Sequence, residues 1–124
     1  MSINLETPQM FDKIVRDKIP DMIRSEGRSV VTKTLNDDEA LIYLKRKLCE
    51  EVDEFLASQS LHELADIAEV LRALASALGS SVSSVERIRK EKRLMNGGFA
   101  RKILLLSAEP KAGQPSTPRQ SGTD

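Results

Sequence analysis

The sequence predicts an all-α fold, a helical bundle with short extended segments at its N- and C-terminal ends. Three observations predict it. The chain has three Phe, one Tyr and no Trp among its 124 residues, so its core has to be built from Leu, Ile, Val and Ala, which suits packed helices better than a β-sandwich. Apolar residues recur at helical spacing through residues 41–55 and again through 61–78. Capping residues and glycines bracket these stretches where helices should start and stop.

The elements follow in order. Pro20 suits the first turn of a short helix that runs to about Glu26 and is stopped by Gly27. Residues 29–35 are rich in Val and Thr and read as a short strand or extended arm. Asn36 or Asp37 caps a long helix to about Ala57, with acidic residues in its first turn where the helix dipole favours them. Ser58-Gln59-Ser60 interrupts the pattern, and Ser60 caps a second long helix ending at Gly79, with Ser60 and Glu63 spaced as a capping box. A last helix begins near Ser81 to Ser83 and ends at Gly97-Gly98. Residues 99–106 read as a closing strand or an apolar strap.

At this length one domain is expected, and folding should bury roughly two-thirds of the surface of the unfolded chain. We assign it to residues 1–106. Residues 107–124 hold three of the five prolines and almost nothing apolar, and they read as a disordered tail. The charges balance, 19 basic against 19 acidic, so no global field draws the chain to nucleic acid or to an anionic membrane. The single cysteine, Cys49, excludes an internal disulfide and reads as a small packed side chain. The apolar runs fall far short of the roughly 20 residues a bilayer span needs, and a cytoplasmic location is expected.

The informative residues are carboxylates. On the first long helix Leu41, Leu44, Leu48, Val52 and Phe55 form one stripe. Glu51 lies roughly 70° from its centre and Glu54 about 130°, on the same side, while Glu50 points nearly opposite and should meet water. On the second helix the apolar arc is broad, running from Leu61 through Leu64, Leu71 and Leu78 and widened by Val70 and Ala77. An arc this wide implies a further surface to cover, and a homodimer or homotetramer is expected. Glu63 falls inside one margin of that arc and Asp66 just beyond it.

The numbering adds a symmetry. Glu51 with Asp66, and Glu54 with Glu63, are centred on the same Ser58-Gln59 junction. An antiparallel hairpin would set Glu54 opposite Glu63 and Glu51 opposite Asp66, gathering four carboxylates at one level. Such a set repels itself unless a cation sits among the oxygens, and all-oxygen ligation points to Mg²⁺, with Mn²⁺ as the alternative. A plainer reading stands beside it. Glu51 and Glu54 would be solvated helix residues with Lys47 as a neighbour, Glu63 the capping partner of Ser60, and His62 a surface residue.

Glu51-x-x-Glu54 followed by Glu63-x-x-Asp66 resembles the metal-binding signature of the MazG-like all-α nucleoside triphosphate pyrophosphatase superfamily. Lys13-Ile14-Val15-Arg16-Asp17-Lys18-Ile19-Pro20 resembles the N-terminal segment of its phosphoribosyl-ATP pyrophosphohydrolase-like subgroup of predicted house-cleaning enzymes. Arg89-Lys90-Glu91-Lys92-Arg93 leading to Gly97-Gly98-Phe99 is similar to the C-terminal element of that subgroup. The resemblance covers roughly residues 11–106. It implies an oligomeric helical protein that cleaves a nucleoside triphosphate, non-canonical in the house-cleaning subgroup, between its α- and β-phosphates with Mg²⁺, giving the monophosphate and pyrophosphate. Glu51, Glu54, Glu63 and Asp66 would be the metal ligands. The link between the two acidic pairs is shorter than in many relatives. Asp66 is followed by Ile67-Ala68-Glu69-Val70-Leu71, where the histidine-pathway enzyme carries an aromatic residue and a His. Phosphoribosyl-ATP itself therefore stays as the alternative substrate, and a non-catalytic oligomerisation or regulatory module as the alternative role.

The proton of the attacking water would pass to Glu51, or to Glu50 if the helix turns further than the ideal wheel. A triphosphate also needs cations from the chain. Lys90 and Arg93, three apart on the last helix, are the first candidates, followed by Lys13, Arg16 and Lys18.

Overall fold

The structure, a computed structural model, describes residues 7–113. Four helices follow one another: α1 (Ile19–Ser25), α2 (Asp37–Ser58), α3 (Leu61–Ala77) and α4 (Val82–Asn96). Among the described residues there is no strand. Residues 29–35 and 103–106 are accordingly irregular segments, the extended alternative of the two read from the sequence.

Local signals set the boundaries. Pro20 sits in the first turn of α1, and Gly27 takes φ +81 just beyond its end. Asn36 opens α2 with a closed capping box: its side chain accepts the Glu39 N–H at 2.9 Å, and the Glu39 carboxylate accepts the Asn36 N–H at 3.2 Å. That bond, with help from Lys33, holds the Glu39 carboxyl below its usual range. The Ser60 hydroxyl accepts the Glu63 N–H at the start of α3, and the Ser81 hydroxyl accepts the Ser84 N–H at the start of α4.

The link between α2 and α3 is two residues long. Gln59 takes the left-handed conformation (φ 55) and donates its N–H to the Phe55 carbonyl, ending α2, and Ser60 then caps α3. So tight a turn folds the two helices back on each other, and α2 against α3 is the helix pair that packs among the described residues.

The buried positions show how they pack. Leu44, Leu48, Glu51 and Phe55 of α2 are buried or half-buried at alternating intervals of four and three residues, and so are Glu63, Ile67, Val70, Leu74 and Ala77 of α3. This is the seam of a two-helix coiled pair, with Leu44 and Val70 as its buried apolar residues and Ala75 buried beside it. Leu61, Leu71 and Leu78 stand outside it and remain exposed, so one chain leaves much of the apolar arc of α3 uncovered.

By contact density the chain divides into two units, Met1–Lys90 and Glu91–Asp124. The first holds α1, α2, α3 and most of α4. In the second, Gly97 takes φ +83 and ends α4, and Ile103, Leu104, Leu105 and Leu106 are exposed. Of the expected tail, residues 107–113 carry neither helix nor strand; residues 114–124 lie outside the described residues.

Candidate metal centre

The seam carries a carboxylate where a hydrophobic residue belongs. Glu51 is only 5% exposed, more buried than Leu44 on the same helix at 7%, while Val52, at one margin of the expected stripe, is exposed. The expectation of a flank position for Glu51 is thus corrected. The ideal 100° wheel drifts against a seam that repeats every 3.5 residues, and over the length of α2 the drift moves the buried line from Val52 toward Glu51.

Around Glu51 the hairpin gathers the other three carboxylates. Single carboxylate oxygens of Glu51, Glu63 and Asp66 lie within 4.8 Å of one another, and so do those of Glu50, Glu51 and Glu54. The carboxylate of Glu54 acts on that of Glu63 across the hairpin, the facing pair that the residue-number symmetry predicts. The Glu63 carboxyl is pushed above its usual range, chiefly by its partial burial, then by the neighbouring Glu54 carboxylate, then by Glu51 and Asp66.

The plainer reading of Glu63 meets a specific obstacle. Ser60 donates its N–H to the Ser58 hydroxyl at 3.3 Å, so the return half of the capping box is taken by serine. Glu63 keeps its backbone bond to Ser60 and turns its carboxylate to the cluster. The plainer reading holds for Lys47, whose ammonium lies 3.3 Å from Glu50 and 3.5 Å from Glu51. Glu50 is thereby drawn back along the helix surface to a half-buried position, which corrects its expected place in open water.

One oxygen of Glu51 and one of Glu63 are buried without a hydrogen-bond partner. Buried carboxylate oxygens are normally satisfied, and a cation among these carboxylates is one way to compensate the two orphans. The donor set is all oxygen, with no His or Cys in either group, which fits a hard divalent ion such as Mg²⁺ or Mn²⁺ and does not fit Zn²⁺.

The candidate phosphate ligands are distributed differently. Arg16 reaches the cluster itself: its guanidinium donates to Asp66 at 2.7 Å. Lys13 lies over the Phe11 ring, 5.9 Å from its centroid, and Lys18 is exposed at the start of α1. Lys90 is exposed on α4, where its charge helps Arg89 hold the Glu86 carboxyl below its usual range. Arg93 belongs to the second unit, its Nε 3.7 Å from where a Cβ on Gly98 would lie. His62 is exposed, and so is Cys49, which corrects its expected packing.

Sequence reasoning missed two ties. Asp12 accepts the Tyr43 hydroxyl at 2.7 Å, and Arg16 pairs with Asp66. Their partners are 31 and 50 residues apart, and no local spacing signals such pairs.

No protein-family profile matches the chain, and no solved structure matches it. The chain is 48% identical over 48 residues to a Mycolicibacterium smegmatis protein described as uncharacterized. The match covers 39% of this chain and spans about half the length of that relative, 49%. No helix among the described residues is long and apolar enough to cross a membrane.

Proposed function

We propose that the protein is a Mg²⁺-dependent nucleotide pyrophosphohydrolase of the MazG-like kind, cleaving a nucleoside triphosphate between its α- and β-phosphates to the monophosphate and pyrophosphate. The observation that carries the reading is the orphaned oxygen of Glu51, buried in the helix seam with the carboxylates of Glu54, Glu63 and Asp66 gathered around that residue. A fold that buries a carboxylate oxygen without a hydrogen-bond partner in its helix seam does so at a cost, and a bound cation offsets it.

Glu51, Glu54, Glu63 and Asp66 would hold the ion. Mg²⁺ supplies neutralisation of the charge that develops on the phosphate oxygens, and it activates water. The chain then does the rest. Water adds to one phosphorus of the α–β anhydride, and the bond from that phosphorus to the bridging oxygen breaks. The other product leaves with that oxygen, and the proton of the water passes to a carboxylate. Glu51 is the first choice for that proton because its free oxygen lies inside the cluster; Glu50, paired with Lys47, is the second. Arg16, Lys13, Lys18 and Lys90 are the proposed phosphate ligands, and Arg16 has the strongest support because it already stands at Asp66.

A second copy of the chain belongs to this reading. Three buried apolar residues make a small core for the α2–α3 pair, and Leu61, Leu71 and Leu78 leave an apolar face open on α3. A homodimer covers that face.

The test is pyrophosphate release from a panel of canonical and modified nucleoside triphosphates, with phosphoribosyl-ATP included, in the presence and absence of Mg²⁺. Mg²⁺-dependent release from at least one of them supports the enzyme. No release from any of them favours a helical oligomerisation or regulatory module with the same fold.

A further inference from the structure

The chain ahead of α1 has neither helix nor strand over residues 8–16, yet side chains tie it to the hairpin at two places. At the first, one oxygen of Asp12 accepts the Tyr43 hydroxyl at 2.7 Å and the other lies 3.8 Å from the Arg46 guanidinium. Arg46 in turn stacks on Tyr43, 4.8 Å from the ring centroid. At the second, Arg16 donates to Asp66 at 2.7 Å. Between them Ile14 is half-buried while Lys13 and Val15 are exposed, so Asp12, Ile14 and Arg16 are the residues of the strap that meet the rest of the chain or are partly covered.

The lengths agree. Tyr43 precedes Glu51 by about two turns of α2, about 12 Å. Four residues, Asp12 to Arg16, reach at most about 13 Å, and the bend at Lys13 falls within that reach. A strap anchored at Tyr43 therefore lays Arg16 at the level of the carboxylates.

We infer that Asp12, Tyr43 and Arg46 are positioning residues that hold Arg16 on Asp66 as a resident counter-cation, and that Arg16 and a divalent cation compete for that carboxylate. The inference rests on the metal reading of the cluster. The Arg16–Asp66 pair is half exposed, 57% and 39% for the two side chains, so it is a weak and replaceable pair. A divalent ion carries twice the charge of a guanidinium and repels it at short range. Once displaced, Arg16 stays tethered beside the site by Asp12, and its planar fork suits a phosphate.

Calorimetric titration of Mg²⁺ alone, without nucleotide and at low ionic strength, tests this on the full chain. Arg16→Ala is expected to bind Mg²⁺ about three- to tenfold more tightly than wild type, the effect of removing one like charge near the ion. Tyr43→Phe keeps Arg16 but removes the anchoring hydrogen bond, and it should shift the affinity the same way by less. Arg28→Ala removes an equal charge whose partner is Glu26 and should leave the affinity unchanged. A strap with a merely structural role would weaken Mg²⁺ binding when cut, the opposite sign. Unchanged or weaker binding by Arg16→Ala, with wild type still binding, overturns the competition and leaves the metal reading standing. A wild-type affinity in Tyr43→Phe overturns the positioning role of the anchor, and tighter binding by Arg28→Ala reduces the effect to net charge. Absence of Mg²⁺ binding by the wild type overturns the metal reading and the competition together.

Discussion

Glu51 and Glu63, on opposite helices of the hairpin, bring carboxylate oxygens within 4.8 Å of each other, and each keeps one oxygen buried without a partner. This relationship links stability to function. Like charges held together oppose the fold, and a cation that binds only the fold turns the same arrangement into a source of stability.

Replacing Glu54 with Gln keeps the volume and removes one charge from the pair with Glu63. The metal-free variant should be as stable as wild type or slightly more so. Its stabilisation by Mg²⁺ should collapse, where wild type gains about 2.7 kcal/mol at a hundredfold excess over the dissociation constant. Asp53→Asn, an exposed position on the same helix, should keep the wild-type response. Thermal melts against Mg²⁺ concentration check this, and equal behaviour of the two variants would mean that the acidic pairs are surface charge.

The pH dependence of stability has a definite sign. Burial and the neighbouring carboxylates raise the Glu63 carboxyl in the folded state, so the fold binds that proton more tightly than the unfolded chain does. The stability from this group is present below the ordinary glutamate value and is lost as pH rises through the raised one. Glu39 and Glu86, both lowered, act in the range below the ordinary value and with opposite sign: their stability is lost as pH falls. Metal-free protein should therefore lose stability as pH rises just above the usual glutamate range, and Glu63→Gln should abolish that loss. Denaturation midpoints measured across this interval would refute the assignment if the two proteins run parallel.

Tyr43 is the only tyrosine and the chain has no tryptophan, so near-ultraviolet absorbance reports its phenol alone. The hydrogen bond to Asp12, followed by the charge of that carboxylate, raises the phenol above its ordinary range. Asp12→Asn should bring the titration midpoint down. An unshifted midpoint would show that the strap is not docked on α2 in solution.

Gln59 holds a left-handed conformation that favours glycine. Gln59→Gly should stabilise the hairpin by about 1 kcal/mol, since it removes the Cβ strain at the turn. For a domain of this size that corresponds to a rise in Tm of about 4–8 °C. A lower Tm would mean that the Gln59 side chain contributes something the turn geometry does not explain.

Light scattering should give at least a dimer at micromolar concentration. Leu71→Glu, placed on the exposed apolar face of α3, should give monomers with reduced stability. A wild-type monomer at that concentration would remove the second copy from the account.

The helices were legible because their signals are local: Pro20, Asn36, Ser60 and Gly97 fix their ends within a turn by capping chemistry and backbone preference alone. The convergence of the carboxylates was legible too, because a two-residue turn makes an antiparallel hairpin symmetric in residue number. The rotation of α2 was not. It depends on how the pair coils, and that moved Glu51 into the seam, Val52 out of it and Cys49 to an exposed position. Glu50 is half-buried beside Lys47, a displacement set by side-chain reach and not by the wheel. The strap was the least legible, since the partners of Asp12 and Arg16 lie 31 and 50 residues away along the chain.

The most direct test of the central claim is pyrophosphate release from a nucleoside triphosphate panel by wild type and by Glu51→Gln at the same Mg²⁺ concentration. The account predicts Mg²⁺-dependent release by wild type and its loss in Glu51→Gln, with the helical content of the variant retained. Turnover by Glu51→Gln at the wild-type rate would contradict it.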